Sequence, residues 1–580
     1  MNLGLLKGIA ERLNNNESND RFLSAFLKGS IFFDMPLDME KCGQEFDYSN
    51  YREPNNKDGE WTYQFSRMEY LHRLVLAYSA TDDEKIIDKY FAFVNAFFQE
   101  NDYEHDCAII DKNGALKSRI LDRLGRKDLV FPTYRTLDTA IRNYSLLVDR
   151  FYLEDKFDDE IINRLSSDTI KTVDRLREFD KFSNWGIIIC ALSACSFLML
   201  GYPDRAENSL NFLKVCLVNQ INEDGGHREC SAMYHTQCLL AMLRLIYWAR
   251  QAQYELDPLF ETVAVRMATH SFYHASPTGY QDQFGDSDIV SLNTVFAISH
   301  TLLGLEDVMS LNDDYDAFLL MEFPSLKIGD YSPFTSKNEY QIAFRDSFCY
   351  NSGEFFWNLY NGVSSSSHKH ADNGQISLWY KGVPYVVDSG RFSYSNRKMR
   401  RFFRRPNAHS TIVIDKGRSW GAKGPNWFRE LPEVDPISFV SGFVCAQYRF
   451  AGRETVKRYV KTFSDCVVVV DRVECKKKHS YRAQWVVERN LNVEAVNGNS
   501  IRIGELYVNS FLPGLKAEDT YISRYYNEIE MSKRVVIDVP FKDEIINVYS
   551  LSKRPQSIGF ENGVFYIDEP DLRIDLEDLK

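Results

Sequence analysis

Apolar positions along this chain change their period once. Through roughly the first 320 residues they recur every three or four, as at Leu210, Leu213, Leu217 and Ile221, and again from Arg67 to Ser79, Ile86 to Phe98, Leu137 to Phe151 and Ser231 to Trp248. Such stripes predict successive amphipathic helices packed on one another, with Gly201-Tyr-Pro203 and Gly225-Gly226 as stops. The stretch from Ser183 to Pro203 carries no charge but is interrupted by Asn184, Ser193 and Ser196. It reads as a buried inner helix rather than a membrane span. After Phe323-Pro324 the period falls to two. Gln375 to Tyr380 and Val383 to Val387 flank Lys381-Gly382 as a hairpin, and strand-like runs follow at Ser410 to Ile414, Val456 to Phe463, Cys466 to Val473 and Tyr481 to Val487. Asn497-Gly498 and Asn562-Gly563 add hairpin turns. The pattern predicts a multidomain chain, α then β, with a helical domain over 1–322 and an antiparallel β-sandwich over 323–580. A cleft between the two is the natural place for a site.

Composition narrows the ligand. At 580 residues the chain is long for one domain, and its 33 Tyr and 40 Phe suit stacking on sugar faces as well as aromatic cores. A net charge of −13 excludes a general nucleic-acid or acidic-membrane binder, so an anionic ligand must meet a local basic patch. One exists: Arg391, Arg397, Lys398, Arg400, Arg401, Arg404 and Arg405 crowd a short segment that holds no acidic residue. No aromatic-and-basic nucleic-acid module accompanies it. The 11 cysteines include no Cys-x-x-Cys pair and read as reduced thiols. Lys7, Glu11 and Arg12 fall where a secretory signal needs apolar residues. Both features favour the cytoplasm, while a trimmed N-terminus would leave a secreted or periplasmic protein open. Nothing in the sequence sets the oligomeric state.

Chemistry-bearing residues concentrate between His368 and His409. His370, Asp388 and His409 have side-chain types that bind a divalent cation such as zinc, and they come from neighbouring strand-like pieces. His368 lies two residues before His370, on the same face if the backbone is extended, and stays available for proton transfer. A second cluster runs from Asp224 to His235, where a Gly-rich loop precedes a helix that Ser231 could cap. Tyr234 and His235 then sit in its first turn, near the positive end of the helix dipole. Asn184 opens the uncharged helix, either as a cap or as an amide donor to a carboxylate. Arg135 and Arg142 lie two turns apart on one helix face, a possible stripe facing an anion.

These pieces, in this order, resemble the heparinase II/III-like polysaccharide lyases. The resemblance rests on Asn184, on Gly225 to His235, on Gln283-Phe-Gly-Asp286, on His368-Lys-His-Ala-Asp372, on Asp388 to Tyr394 and on Ala408-His-Ser-Thr411. It implies an incomplete (α/α) toroid followed by a β-sandwich, cleaving uronate-containing anionic polysaccharide or oligosaccharide by β-elimination. In that reading Asn184 neutralises the uronate carboxylate, Tyr234 and His368 transfer protons, and His370, Asp388 and His409 hold a structural metal, zinc by preference. Arg142, His235 and Tyr394 are expected to contact substrate. Tyr234 alone could also make both proton transfers. Trp185 stands where many relatives carry His after the Asn, which removes a possible second base; Ser410 replaces the Asn that usually follows the Ala-His pair. Competing expectations are an alginate-type lyase, a glycoside hydrolase drawing on Glu229, Asp286 or Asp288, and a glycan-binding protein without catalysis.

Overall fold

The computed structural model describes residues 59–101, 132–178, 182–306, 308, 315–326, 339–417, 420, 428, 430–450, 453–568 and 572–579. Lys7, Glu11, Arg12, Cys42 and Cys107, which entered the reading of cellular compartment, lie outside them. The chain divides into two compact units, one of Met1–Ile221, Gln237–Ala268 and Asn293–Ser332, the other of Asn222–Thr236, Thr269–Leu292 and Pro333–Lys580. Two excursions of the helical half, 222–236 and 269–292, therefore belong to the unit that holds the strands. A single cut at 322/323 leaves both with the helices.

The described helices are α1 (Gly59–Arg67), α2 (His72–Thr81), α3 (Glu84–Glu100), α4 (Thr136–Tyr152), α5 (Asp159–Glu178), α6 (Asn184–Met199), α7 (Pro203–Gln220), α8 (Ala232–Gln251), α9 (Pro258–His274), α10 (Asn293–Leu303), α11 (Ala317–Met321) and α12 (Arg397–Phe403). Within the first unit α6 packs against α4, α5 and α7. Asn184 and every residue from Gly186 through Leu198 are buried, which is why its sequence lacks charge and lacks a polar face. No described helix is long and apolar enough to cross a membrane. Pro203 begins α7, where its missing N–H costs nothing, and Leu210, Leu213 and Leu217 turn inward from it. The helical core also buries Arg142. Its guanidinium donates to the carbonyls of Ser66 at 3.0 Å and Thr133 at 3.2 Å and lies over the rings of Tyr134 and Phe97. Arg135 is likewise engaged, pairing through two bonds with the buried carboxylate of Asp138.

The second unit opens with an antiparallel ladder, β1 (Tyr340–Ala343), β2 (Ser347–Asn351), β3 (Phe355–Tyr360), β4 (Gln375–Tyr380) and β5 (Val383–Val387). β4 and β5 turn at Lys381 and Gly382, with φ of +50° and +78°, the backbone a two-residue hairpin requires. The ladder continues through two long strands, Cys466–Val487 and Glu530–Ser552, to the strands Leu506–Ser510, Ser500–Ile503 and Val493–Asn497. The runs Cys466 to Val473 and Tyr481 to Val487 form one strand, not two. The exposed Lys476, Lys477 and Lys478 interrupt the apolar alternation and mark an irregularity in the pairing rather than a turn. Trp357, Trp485, Val469 and Tyr549 are among the side chains that fill the core. A smaller core of Cys230, Ala232, Phe284 and Tyr360 pins segments 222–236 and 269–292 onto β3. All nine described cysteines are free thiols, eight of them buried.

Candidate active site

Three loops of the second unit meet where Gly285 adopts φ +59°. A side chain there would collide with the carbonyl oxygens of Cys230 and His368, so glycine is required both for the turn and for the approach. The amide of Asp286 donates to His368 O at 2.9 Å, and the amide of Gly285 donates to Asp372 Oδ2 at 3.0 Å. Ser231, expected to cap α8, instead donates its hydroxyl to Asp286 O at 2.6 Å. The cap comes from Ser287, whose Oγ accepts from Met233 N at 3.1 Å. These bonds set Tyr234, in the first turn of α8, against the segment that carries His368.

The side chains converge on Asp286, which is completely buried. Its carboxylate accepts from His368 Nδ1 at 2.9 Å, His370 Nε2 at 2.7 Å and Tyr394 Oη at 3.1 Å. Arg400 adds a two-pronged ion pair, its Nη2 at 2.7 Å from Oδ2. Burial alone would raise this carboxyl; Arg400 and the two imidazoles overcome it and hold the group well below the usual carboxylate range. A permanently ionised acceptor at Nδ1 keeps the His368 proton on that nitrogen and leaves the Nε2 lone pair outward. Nε2 faces Glu229, whose Oε2 is 3.8 Å away. The ring of Tyr234 stacks on His368 with centroids 3.7 Å apart, and its hydroxyl lies 2.8 Å from that of Tyr394. Burial first, then the charges of Asp286 and Tyr234, push the Tyr394 phenol well above its ordinary range. Tyr394 therefore remains a proton donor. Arg391 donates to its oxygen at 3.2 Å and is itself held through two bonds by Asp288.

The three residues expected to bind a metal are close neighbours, but their carboxylate is engaged. Asp388 Oδ2 lies 2.6 Å from His409 Nδ1, and Oδ1 accepts the Gly390 amide. The rings of His370 and His409 are 5.3 Å apart. Among the described residues no group of three or more His, Cys, Asp or Glu side chains is arranged to hold a metal ion. The donor chemistry nevertheless fits one. Each imidazole has one nitrogen against a carboxylate, while the other, His370 Nδ1 and His409 Nε2, is buried without a hydrogen-bond partner, the outer arrangement that metal-binding histidines show.

Tyr234, His368 and Tyr394 thus form one constellation and His370, Asp388 and His409 a second, joined through Asp286. His235 packs instead on His270, centroids 4.9 Å apart. Asn184 and Arg142 belong to the helical unit, where Asn184 is the buried first residue of α6. Asp286, Arg400 and Arg391 are the participants that residue spacing did not single out for this centre. Their signal was the Gln283-Phe-Gly-Asp286 element and the basic run. That run divides in the fold: Arg391, Arg400 and Arg404 are buried, whereas Arg397, Lys398, Arg401 and Arg405 are exposed.

Comparison with known proteins agrees with this organisation. The profile "Heparinase II/III N-terminus" matches residues 15–305 and "Heparinase II/III-like, C-terminal" matches 355–560. No curated protein sequence matches the chain. Among solved structures, one of heparinase III is 14% identical with a TM-score of 0.72, covering 97% of this chain and 92% of that one. A mutant of the heparan sulfate lyase HepC from Pedobacter heparinus is 16% identical with a TM-score of 0.64, covering 96% and 89%. These likenesses establish a helical part followed by an antiparallel β-sheet domain, and with the two matched profiles the chain belongs to the heparinase II/III family.

Proposed function

We propose that the protein is a polysaccharide lyase that cleaves a uronate-containing, glycosaminoglycan-like polysaccharide or oligosaccharide by β-elimination. The observation that carries the reading is the Tyr234–Tyr394–Asp286–His368 constellation, a phenol and an imidazole stacked face to face and both tied to one ionised carboxylate. Elimination needs a base for the proton on carbon 5 of the uronate, an acid for the departing glycosidic oxygen, and a donor for the carboxylate on which charge develops. His368 Nε2 is suited to the first role, since the imidazolium formed by accepting a proton is stabilised by Asp286 behind it and Glu229 in front. Tyr234 is suited to the second. When its hydroxyl proton leaves, the Tyr394 hydroxyl 2.8 Å away turns its one proton from Asp286 to the phenolate, which recovers its own proton from solvent or from the imidazolium. Asn184 would supply the carboxylate donor without adding charge.

His370 and His409, with Asp388 orienting His409, would hold a divalent cation, zinc by preference, whose contribution is to stiffen the wall behind Asp286. Arg142 has no part in the proposal, because its guanidinium is spent on backbone carbonyls. A hydrolase would need a carboxylic acid able to donate a proton. Asp286 is held ionised and Asp288 is bound to Arg391, which removes two of the three carboxyls that reading would draw on and leaves it Glu229 alone, 3.8 Å from His368 Nε2.

The test is incubation with a panel of uronate polysaccharides, following both ultraviolet absorbance and reducing ends. A conjugated uronate absorbance rising in step with new ends is the expected result. New ends without absorbance would mean hydrolysis, and neither would mean binding alone.

A further inference from the structure

A second cavity in the strand-bearing unit, of about 280 Å³, lies among residues of segment 276–289, the β4–β5 hairpin, Glu488 and Arg524. Tyr234, His368, Tyr394 and Asp286 are not in its lining, which reaches the neighbouring His370–Asp388–His409 group at Asp388, and its chemistry differs from an anion site. Among the described residues Arg524 is the one cation in the lining, and it is spent: its Nη2 pairs with Glu488 and its Nη1 donates to Gln283 Oε1 at 2.6 Å. Asp388 is tied to His409. Asp282 remains, 7% exposed, with hydrogen bonds from neutral groups, Asn358 Nδ2 at 3.0 Å, the Ser377 side chain and the Gln283 backbone amide. A carboxylate has about four acceptor positions, so three bonds leave room for one donor from the cavity. Burial, opposed by those bonds and reinforced by the charge of Asp388, pushes this carboxyl up to about 7, the behaviour of an acid short of a positive partner. The rest of the lining mixes polar side chains such as Thr278 and Gln281 with apolar ones and two aromatic rings, Trp379 and the partly exposed Tyr280, surfaces on which the C–H face of a sugar ring packs.

From these features we propose that the cavity is a binding site for a single amino-sugar residue, its ring against Trp379 and Tyr280 and its ammonium against Asp282. The volume is at the small end of the roughly 300–1,000 Å³ typical of ligand pockets, which suits one ring rather than two. An anionic sugar is disfavoured, since its charge would face Asp282 and Asp388 with no free cation among the described lining residues. The inference stands apart from the lyase reading, because it concerns binding and needs no elimination.

The test is a titration of the full chain with the methyl glycosides of glucosamine, glucose and glucuronic acid, followed by saturation-transfer NMR and tryptophan fluorescence. Glucosaminide should bind, glucoside should bind more weakly, and glucuronide should not compete. Asp282→Asn should lower glucosaminide affinity roughly tenfold, the size of one charge-assisted hydrogen bond, while leaving the glucoside unchanged. Thr278→Trp, a substitution at an exposed position on the rim, should abolish binding of both without changing the circular dichroism. Binding of none of the three, glucuronide binding as tight as glucosaminide, or glucosaminide binding indifferent to Thr278→Trp would each overturn the proposal.

Discussion

Asp286 works as a buried hub: one carboxylate receives two imidazoles, a phenol and a guanidinium. Removing its charge strands Arg400 in the interior, and breaking such a pair typically costs about 3–5 kcal/mol. Asp286→Asn should therefore lower the melting temperature and turnover together. Tyr394→Phe separates the two effects. It keeps the ring and loses the hydroxyl between Tyr234 and Asp286, so turnover should fall about 10²-fold, the lower range for one proton-transfer contribution, with the melting temperature nearly unchanged; a wild-type rate would remove Tyr394 from the relay. Asp282 offers a pH signature. Its folded-state value, raised to about 7, means that the folded protein holds a proton the unfolded chain releases near 4. Stability from this group is full below about pH 4, is lost as pH rises through about 7, and is flat beyond. The melting temperature of Asp282→Asn should exceed that of the native chain at pH 8 and converge with it below pH 4; parallel curves would contradict the assignment.

At the level of elements, the hairpin turn at Lys381-Gly382 and the buried helix α6 were both legible in the sequence, because a φ-positive dipeptide and an uncharged run each admit few backbones. The cap of α8 was not. Ser231 has the right residue type, yet its hydroxyl is taken by Asp286 O and Ser287 arrives from 56 residues away in sequence to replace it. Periodicity carries no information about such long-range bonds. The same limit hid the role of Asp286, whose partners come from three separate segments. The metal ligands stand between these cases. His370, Asp388 and His409 do gather, but spacing could not tell that Asp388 would spend its oxygens on His409 and the Gly390 amide. If the two orphaned nitrogens hold a cation, His370→Ala should lower bound metal and the melting temperature of the metal-loaded protein; unchanged metal content would reject it.

Across the whole molecule the charge is −13, and the proposed substrate is a polyanion. The exposed Arg397, Lys398, Arg401 and Arg405 are the local exception, and their neighbours Arg391 and Arg400 bind the carboxylates that position Tyr394 and His368. In the proposed function this stretch around α12 would both attract substrate and brace the acid–base centre. Screening by salt should raise KM while leaving kcat nearly constant, and Lys398→Glu with Arg401→Glu should reproduce the effect at low salt. The division into helical and strand-bearing parts was visible as the change of period near residue 323, whereas the return of segments 222–236 and 269–292 to the strands was not, since their cores are made by contacts with β3. The central claim is that Tyr234 and His368 together move the protons of an elimination. The direct measurement is the appearance of conjugated uronate by Tyr234→Phe and by His368→Ala, each checked for native circular dichroism. Losses of about 10² to 10⁴-fold in both are predicted, and near-native rates in either would contradict the account.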